Sequence, residues 1–290
     1  MDQDFIDRIF LNEECCVSDR VEVATDDGVA HVLFNRPEKK NALDAEMFDG
    51  ILGAADRLKN DASVRAVVLS GAGDSFSAGL DVSSLGQMAT GELNPESESI
   101  EEATRDFSPQ GANRAQRLGW AWQELPQPVI AAVTGVAYGG GLHIALGADI
   151  RFVAPDARLA FVEISWGLVP DLSGTQALRR LVSLDVAKKL ILGGEVVNGE
   201  RAVALGLCTE LSDAPVEDAL DFARMIAQRS PDAVRAAKAL LNSSALVPLA
   251  EGLANEMSAS AKLMGKKNQI EAVMSKLEKR PAKFSDPETI

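Results

Sequence analysis

The chain has 290 residues, and its 46% of hydrophobic and 25% of charged residues are typical of a globular protein with a substantial core. Its formal net charge is −14, from 29 basic and 43 acidic residues, which argues against a nucleic-acid partner. The most apolar stretch, residues 129–150, contains glycines, a histidine and an aspartate, so it is a poor membrane span and no membrane partner is expected.

The cysteines and the N-terminus favour a cytoplasmic protein. There are three cysteines, an odd number, and two of them, Cys15 and Cys16, are neighbours, which does not suggest a disulfide framework. The two histidines provide no zinc-ligand spacing, so no metal is expected. Residues 1–14 lack the basic start and apolar run of a signal peptide. We therefore expect reduced thiols, including Cys208, in the cytoplasm.

The first part of the chain alternates between strand and helix patterns. Residues 21–35 alternate around Asp26-Asp27-Gly28, which predicts a β-hairpin with its turn at the acidic-glycine pair. The segments that follow are a helix at 41–59, a strand at 64–70, a strand at 129–134, a helix at 140–146 and a strand at 150–154. Strands that alternate with helices indicate an α/β fold.

Two later regions differ from this pattern. Residues 85–118 are polar and acidic, and two interpretations are open for them: a flexible flap or a solvated helix and loop. From Asp185 onward the sequence predicts helices, with Gly206 ending one and Pro231 starting another. Residues 232–279 fit two or three helices, and a boundary is expected near residue 213.

Two turns rich in small residues follow predicted strands, one at 75–81 and the other at 135–143. Where a strand ends and a helix begins, free backbone N–H groups and the helix dipole favour negative charge, and glycine lets a ligand approach closely. Two such turns side by side would form an oxyanion hole. Glycine-rich turns are more often simple chain reversals, so the pattern alone supports two candidate anion-binding turns.

Several motifs, in order along residues 21–284, resemble those of the enoyl-CoA hydratase/isomerase (crotonase) superfamily. They lie at 35–43, at 76–81, at 135–142 with Ala148-Asp149 after it, at 163–176, at 200–207 and at 278–281. The resemblance implies an α/β fold, a spiral of repeated β-β-α units with a helical C-terminal trimerisation region. It divides the chain into an N-terminal extension (1–20), a spiral core with the acyl-CoA site (21–212) and a helical oligomerisation region (213–290). A homotrimer or a dimer of trimers is implied.

The resemblance also implies a site. The backbone N–H groups of Leu80 and Gly140 would hold the thioester oxygen as an oxyanion hole. The residues implied in CoA binding are Lys39, Lys40, Ala78 and Lys279, the last from the same or from a neighbouring subunit. The alternative for the lysines is a solvated surface. No cofactor is implied, because the CoA thioester is itself the substrate.

Three side chains decide which reaction is expected. Glu163 matches a catalytic glutamate of the family, but His143 stands where the hydratases have their other glutamate. Asp171 matches the second acid of dienoyl-CoA isomerases. The leading expectation is therefore double-bond isomerisation of an enoyl- or dienoyl-CoA. Hydration by Glu163 with His143 or Asp171 is the alternative, and a catalytically idle acyl-CoA-binding protein is another.

Each of these side chains also has a structural interpretation. Glu163 could be a surface residue, His143 a packed histidine, and Asp171 the cap of a helix that begins near Thr175. Trp166 and Tyr138 are expected in the core or in a pocket wall.

Overall fold

The structure is a computed structural model, and it describes residues 16–90 and 108–287. Its strands are β1 (Cys16–Ser18), β2 (Val21–Asp26), β3 (Val29–Phe34), β4 (Ala66–Gly71), β5 (Val129–Val133), β6 (Val136–Tyr138), β7 (Ile150–Val153), β8 (Arg158–Ala160), β9 (Val197–Asn198) and β10 (Glu210–Leu211). Seven form one sheet in the order β1-β2-β3-β4-β5-β7-β10, and β6, β8 and β9 form a second. From β3 to β10 the large sheet is parallel, so its strands end at one common edge.

The predicted hairpin is confirmed. β2 and β3 pair antiparallel from Val21 opposite Phe34 to Asp26 opposite Val29. Asp27 and Gly28 form the two-residue turn, and both have positive φ angles, 45° and 79°. Such angles are typical of the turn whose twist matches that of the two strands.

The helices of the described ranges are α1 (Ala45–Lys59), α2 (Val82–Thr90), α3 (Arg114–Glu124), α4 (Gly140–Gly147), α5 (Gly174–Leu178), α6 (Leu184–Gly193), α7 (Gly199–Leu205), α8 (Pro215–Ala227), α9 (Pro231–Ser244), α10 (Leu249–Leu263) and α11 (Lys267–Leu277). The helix predicted from residue 41 begins four residues later. Asn41 is fully buried in a left-handed conformation, and Asp44 caps the helix by accepting the N–H of Met47 at 2.9 Å.

Helices cover both faces of the large sheet. On one face, α8 buries Ala219, Leu220 and Ala223 against side chains of the central strands, among them Val68 and Ile130. On the other face, residues of α1 and α3 share a larger core with the alternate strand residues. The helical region predicted from residue 213 onward therefore begins with α8, which packs against the large sheet. The proposed division into domains stays a prediction.

A buried ion pair joins the helical region to the sheet. Lys238 of α9 contacts Asp149 at 2.7 Å and donates to the carbonyls of Trp122 and Gln127. Burial lowers the pKa of Lys238, and the Asp149 carboxylate opposes that shift. Asp149 also accepts the N–H of Val129 at 2.7 Å, which ties the pair to the start of β5.

Most of the 85–118 segment, residues 91–107, lies outside the described residues; its two ends belong to α2 and α3. Cys15 and the side chain of Cys16 are also outside them, while Cys208 is buried and unpaired by any disulfide, and burial raises its pKa to about 12. Among the described helices, none has the length and apolar character needed to cross a membrane.

Candidate active site

The two glycine-rich turns lie side by side, where β4 and β5 end. The N–H of Ser77 donates to Val136 O, and the N–H of Tyr138 donates to Ser77 O, both at 3.0 Å. Gly79 has a φ angle of +82°, and a β-carbon there would lie 2.5 Å from the Tyr138 carbonyl oxygen. Only glycine allows this approach, which brings the two turns into contact.

The backbone around Leu80 directs its N–H group. The carbonyl of Gly79 accepts the N–H of Leu43 at 2.8 Å, and the N–H of Asp81 donates to Leu43 O at 3.1 Å. In a planar trans peptide the C=O and N–H groups point in opposite directions. Because the Gly79 carbonyl points at Leu43, the Leu80 N–H of the same peptide points to the other side.

Gly140 supplies a second donor close by. It is the first residue of α4, so its N–H belongs to the first turn and has no acceptor within the helix. The β-carbon position of Gly79 lies 3.5 Å from the Gly140 nitrogen. Two backbone donors at the ends of neighbouring strands could therefore bind one oxygen atom that carries negative charge.

Glu163 and His143 meet beside these donors. The pairing of β6 with β8 sets Tyr138 opposite Ala160, which brings the start of α4 next to Glu163. Glu163 Oε1 lies 3.1 Å from His143 Nε2, and the two side chains are 11% and 0% exposed. A β-carbon on Gly139 would also lie 3.1 Å from this carboxylate oxygen. The carboxylate therefore borders the N-terminus of α4.

The contact between Glu163 and His143 is not a well-aligned hydrogen bond. Both ring nitrogens of His143 and the Oε2 atom of Glu163 are buried without a hydrogen-bond partner among the described residues. Buried polar atoms are normally paired, and those without a partner often mark a site for water or a ligand. This arrangement can bind a polar group that lies beside the carboxylate and the imidazole and contacts both.

His143 is also a packed residue. Its ring lies 5.5 Å from the ring of Phe161, and a β-carbon on Gly174 would lie 2.6 Å from His143 Cδ2. The interpretation as a packed histidine and the interpretation as a site residue therefore hold together. Gly174 is a residue that the sequence alone did not single out for this role.

Asp171 lies at the solvent-exposed edge of the same site. Partial desolvation raises its pKa, and the charge of Glu163 adds to that rise, while a backbone hydrogen bond and His143 oppose it. Helix α5 has Ser173 at its N-cap and no side-chain cap bond, so the interpretation of Asp171 as a helix cap is wrong. Its charge interacts with both Glu163 and His143.

The residues predicted to bind CoA lie in two places. Lys39 ends a short 3-10 turn (Pro37–Lys39), and Lys40 follows it; both are exposed, and Lys40 O accepts the N–H of Ala78 at 2.8 Å. Among the described residues, no contact joins Lys279 to this site. The carbonyl of Phe284, five residues later, accepts from Arg65, which precedes β4 at the opposite end of that strand.

Neither of the two aromatic residues expected in the core or a pocket wall is in the core. Trp166 was expected in the core or a pocket wall, but its location at the end of a 3-10 turn (Glu163–Trp166) leaves it 54% exposed. Tyr138 is half-buried, and its hydroxyl accepts from Arg158 Nε at 3.0 Å. Within residues 16–90 and 108–287, no group of three or more His, Cys, Asp or Glu side chains could hold a metal ion.

The paired turns, the adjacent carboxylate and the parallel sheet agree with one class of protein, the crotonase superfamily that the sequence motifs resemble. Residues 24–287 match the family described as enoyl-CoA hydratase/isomerase, and the chain belongs to that family. Its α/β crotonase fold and its activity as an acyl-CoA-processing enzyme follow from this membership.

Relatives and solved structures agree with this assignment. The chain is 33% identical over 264 residues to the mitochondrial methylglutaconyl-CoA hydratase of Mus musculus, covering 89% of this chain and 79% of the relative. It is 33% identical over 255 residues to the short-chain-enoyl-CoA hydratase of Clostridium acetobutylicum, covering 87% and 92%. The crystal structure of an enoyl-CoA hydratase from Bacillus anthracis superposes with a TM-score of 0.81 at 28% identity, covering 92% of this chain and all of that one. Because relatives include bacterial and mitochondrial proteins, a cytoplasmic location stays a prediction.

Proposed function

We propose that the protein adds water to the double bond of a 2-enoyl-CoA thioester. The observation that carries this proposal is the 3.1 Å contact between Glu163 Oε1 and His143 Nε2, since hydration needs two polar groups that converge on one water molecule. The expectation from the sequence favoured isomerisation. The names of the relatives, which are hydratases, support hydration instead.

Each proposed step uses a group already described. The thioester oxygen accepts hydrogen bonds from the N–H groups of Leu80 and Gly140. Glu163 removes a proton from water, whose oxygen bonds to C3 of the acyl chain, and the double-bond electrons move toward the thioester to form an enolate. Glu163 then returns a proton to C2. His143 orients the water and the carboxylate.

Isomerisation is the second candidate, and Asp171 favours it. Its pKa is raised, and its charge interacts with the pair formed by Glu163 and His143. Moving two conjugated double bonds requires proton removal and delivery at carbons several bonds apart. Two acids spaced along the acyl chain, Glu163 and Asp171, suit that reaction.

The test compares crotonyl-CoA with a 3,5-dienoyl-CoA in the wild type and in three variants. Glu163→Gln should lose turnover of either substrate by about 10²-fold or more, while thioester binding survives. If the protein is a hydratase, His143→Ala should lower crotonyl-CoA hydration by about 10²-fold, and Asp171→Asn should change it little.

An isomerase would show the opposite order of losses on the dienoyl substrate. If the Glu163→Gln variant turned over either substrate at the wild-type rate, both candidate mechanisms would be contradicted. Thioester binding by the wild type with turnover of neither substrate would support the idle acyl-CoA-binding protein. Equal activity of all variants would mean that none of these side chains carries the chemistry.

A further inference from the structure

The guanidinium of Arg36 joins two chain segments on either side of the Leu80 peptide. Its Nη1 atom lies 2.6 Å from Asp81 Oδ2 and donates to Ala42 O at 3.2 Å. The side chains of Arg36 and Asp81 are only 12% and 11% exposed. One nitrogen therefore links residues that are 39 positions apart in the chain, in a place where little water competes for the hydrogen bonds.

The Asp81 carboxylate is held from a second direction as well. Its Oδ1 atom accepts the N–H of Ser83 at 2.9 Å and the hydroxyl of Ser83 at 2.7 Å, at the start of α2. The Ser83 hydrogen bonds, followed by Arg36, lower the pKa of Asp81 to about 2 despite its burial. The carboxylate is therefore charged at every pH at which an enzyme of this kind would work.

Ala42 and Asp81, the two residues that Arg36 joins, lie next to the pair of hydrogen bonds that orients the Leu80 N–H. In that pair, Leu43 donates its N–H to Gly79 O at 2.8 Å and its carbonyl accepts the N–H of Asp81 at 3.1 Å. Ala42 is the neighbour of Leu43, and Asp81 is the neighbour of Leu80. A bond between Ala42 and Asp81 through Arg36 thus keeps the two segments from separating or sliding.

We propose that Arg36 is a positioning residue that sets the direction of the Leu80 N–H through Asp81 and Ala42. It touches no reacting atom. The inference rests on the proposed function, because it requires the Leu80 N–H to contact the thioester oxygen. Loss of Arg36 leaves the nearly buried Asp81 carboxylate without this cation, so we expect the carboxylate to turn toward water. The two Leu43 hydrogen bonds then hold the Gly79–Leu80 peptide alone, in a less sharply defined orientation.

The experiment measures turnover together with the polarisation of a bound thioester. Wild type and variants are assayed with crotonyl-CoA and are examined by infrared difference spectroscopy with butyryl-CoA labelled with ¹³C at its carbonyl. This saturated thioester cannot add water. In the wild type the carbonyl band of bound butyryl-CoA should move to lower frequency than in water, because two N–H donors polarise the bond.

Arg36→Gln should lower kcat by about 10- to 100-fold, less than or similar to the loss of one whole oxyanion donor, with KM changed less than about threefold. Its carbonyl band should move back toward the position in water. Arg36→Lys keeps the charge but not the planar fork, so it should give an intermediate kcat and band position. Arg20→Gln is the matched control, since Arg20 pairs with Glu46 and shares the Asp44 carboxylate with Arg36, but has no contact with Asp81 among the described residues.

Circular dichroism first establishes that each variant is folded. If Arg36→Gln does not fold, Asp81→Asn takes its place, because the amide keeps the shape and removes the charge that Arg36 binds; the same losses are expected. A folded variant whose kcat and carbonyl band equal those of the wild type overturns the proposal, and so does a variant in which only KM rises.

If the carbonyl band of butyryl-CoA bound to the wild type lies where it does in water, the oxyanion hole itself is overturned. A shift that persists in Arg36→Gln overturns only the role of Arg36.

Discussion

Gly174 shows how a residue without a side chain can determine the position of another side chain. A β-carbon at this position would lie 2.6 Å from His143 Cδ2 and 2.7 Å from His143 Nε2. Contacts this short force the ring to move. Because Nε2 is the atom that faces Glu163, any movement of the ring changes the distance between the two groups proposed to hold water.

We predict that Gly174→Ala lowers turnover of crotonyl-CoA by about tenfold or more and destabilises the fold by about 1–3 kcal/mol through overpacking. Steady-state kinetics and urea unfolding measure the two effects. Gly193→Ala is the control, because Gly193 lies in α6 with nothing within 4 Å of its β-carbon position. That variant should keep full activity. Equal activity of the two variants would mean that the His143 ring position does not matter for catalysis.

At the scale of strands and helices, His31 couples the pairing of β3 and β4 to pH. Its Nε2 atom lies 2.7 Å from Ser70 Oγ, and the residue is 6% exposed. Burial lowers the pKa of His31 from 6.5 to about 4. Between pH 6.5 and pH 4 the unfolded chain binds a proton at His31 that the folded chain does not bind. The free energy of unfolding is therefore not reduced by His31 above pH 6.5, and it falls as the pH decreases toward 4.

We predict that this histidine removes about 2 kcal/mol from the free energy of unfolding between pH 7.5 and pH 5. Urea unfolding of wild type and of His31→Gln at the two pH values gives the comparison. The glutamine variant should lose less stability over that interval, by about the same amount. Parallel pH profiles for the two proteins would show that His31 is not the group responsible.

The sequence predicts the elements better than it predicts the contacts between them. The hairpin, β4, β5, α4 and β7 were predictable because each has a local pattern of burial or turn residues. The start of α1 was predicted four residues early, since the burial of Asn41 depends on a loop about 30 residues away; its side chain donates to Ala72 O and Ser75 O.

The candidate site follows the same division. The turns around Leu80 and Gly140 have local signals, and their roles stay predictions. The link between Arg36 and Asp81 has no such signal, because the two residues are 45 positions apart and meet only through the parallel bridge of Leu43 and Leu80. The contact of His143 with Glu163 similarly depends on the pairing of β6 with β8, which no short pattern shows.

For the whole molecule, the C-terminal helices leave large apolar side chains in contact with solvent. Leu249, Leu253 and Met257 recur every four residues along α10 and are 79%, 56% and 72% exposed. Residues at this spacing lie along one side of a helix. Met264 and Leu277, further along, are also strongly exposed. Apolar surface of this extent is typical of an interface.

We predict that the protein is a homotrimer or a dimer of trimers in which a second copy covers this side of α10. Sedimentation equilibrium at micromolar concentration should show the oligomer for wild type. Leu253→Asp should shift the protein toward smaller species, because it places a charge in the apolar contact. Leu253→Met, which conserves volume and polarity, is the control and should assemble normally. A stable and active wild-type monomer would contradict the prediction.

The Leu80 donor has a consequence for how this protein can change over evolutionary time. Its proposed contact with the thioester uses the N–H of the main chain, and every amino acid except proline supplies that group. Random point mutations at codon 80 therefore rarely delete it. Positions 143 and 171 have no such protection, because the roles proposed there belong to the side chain. A lineage can thus exchange the groups that move protons and acquire a new reaction, while the enolate contact is inherited unchanged.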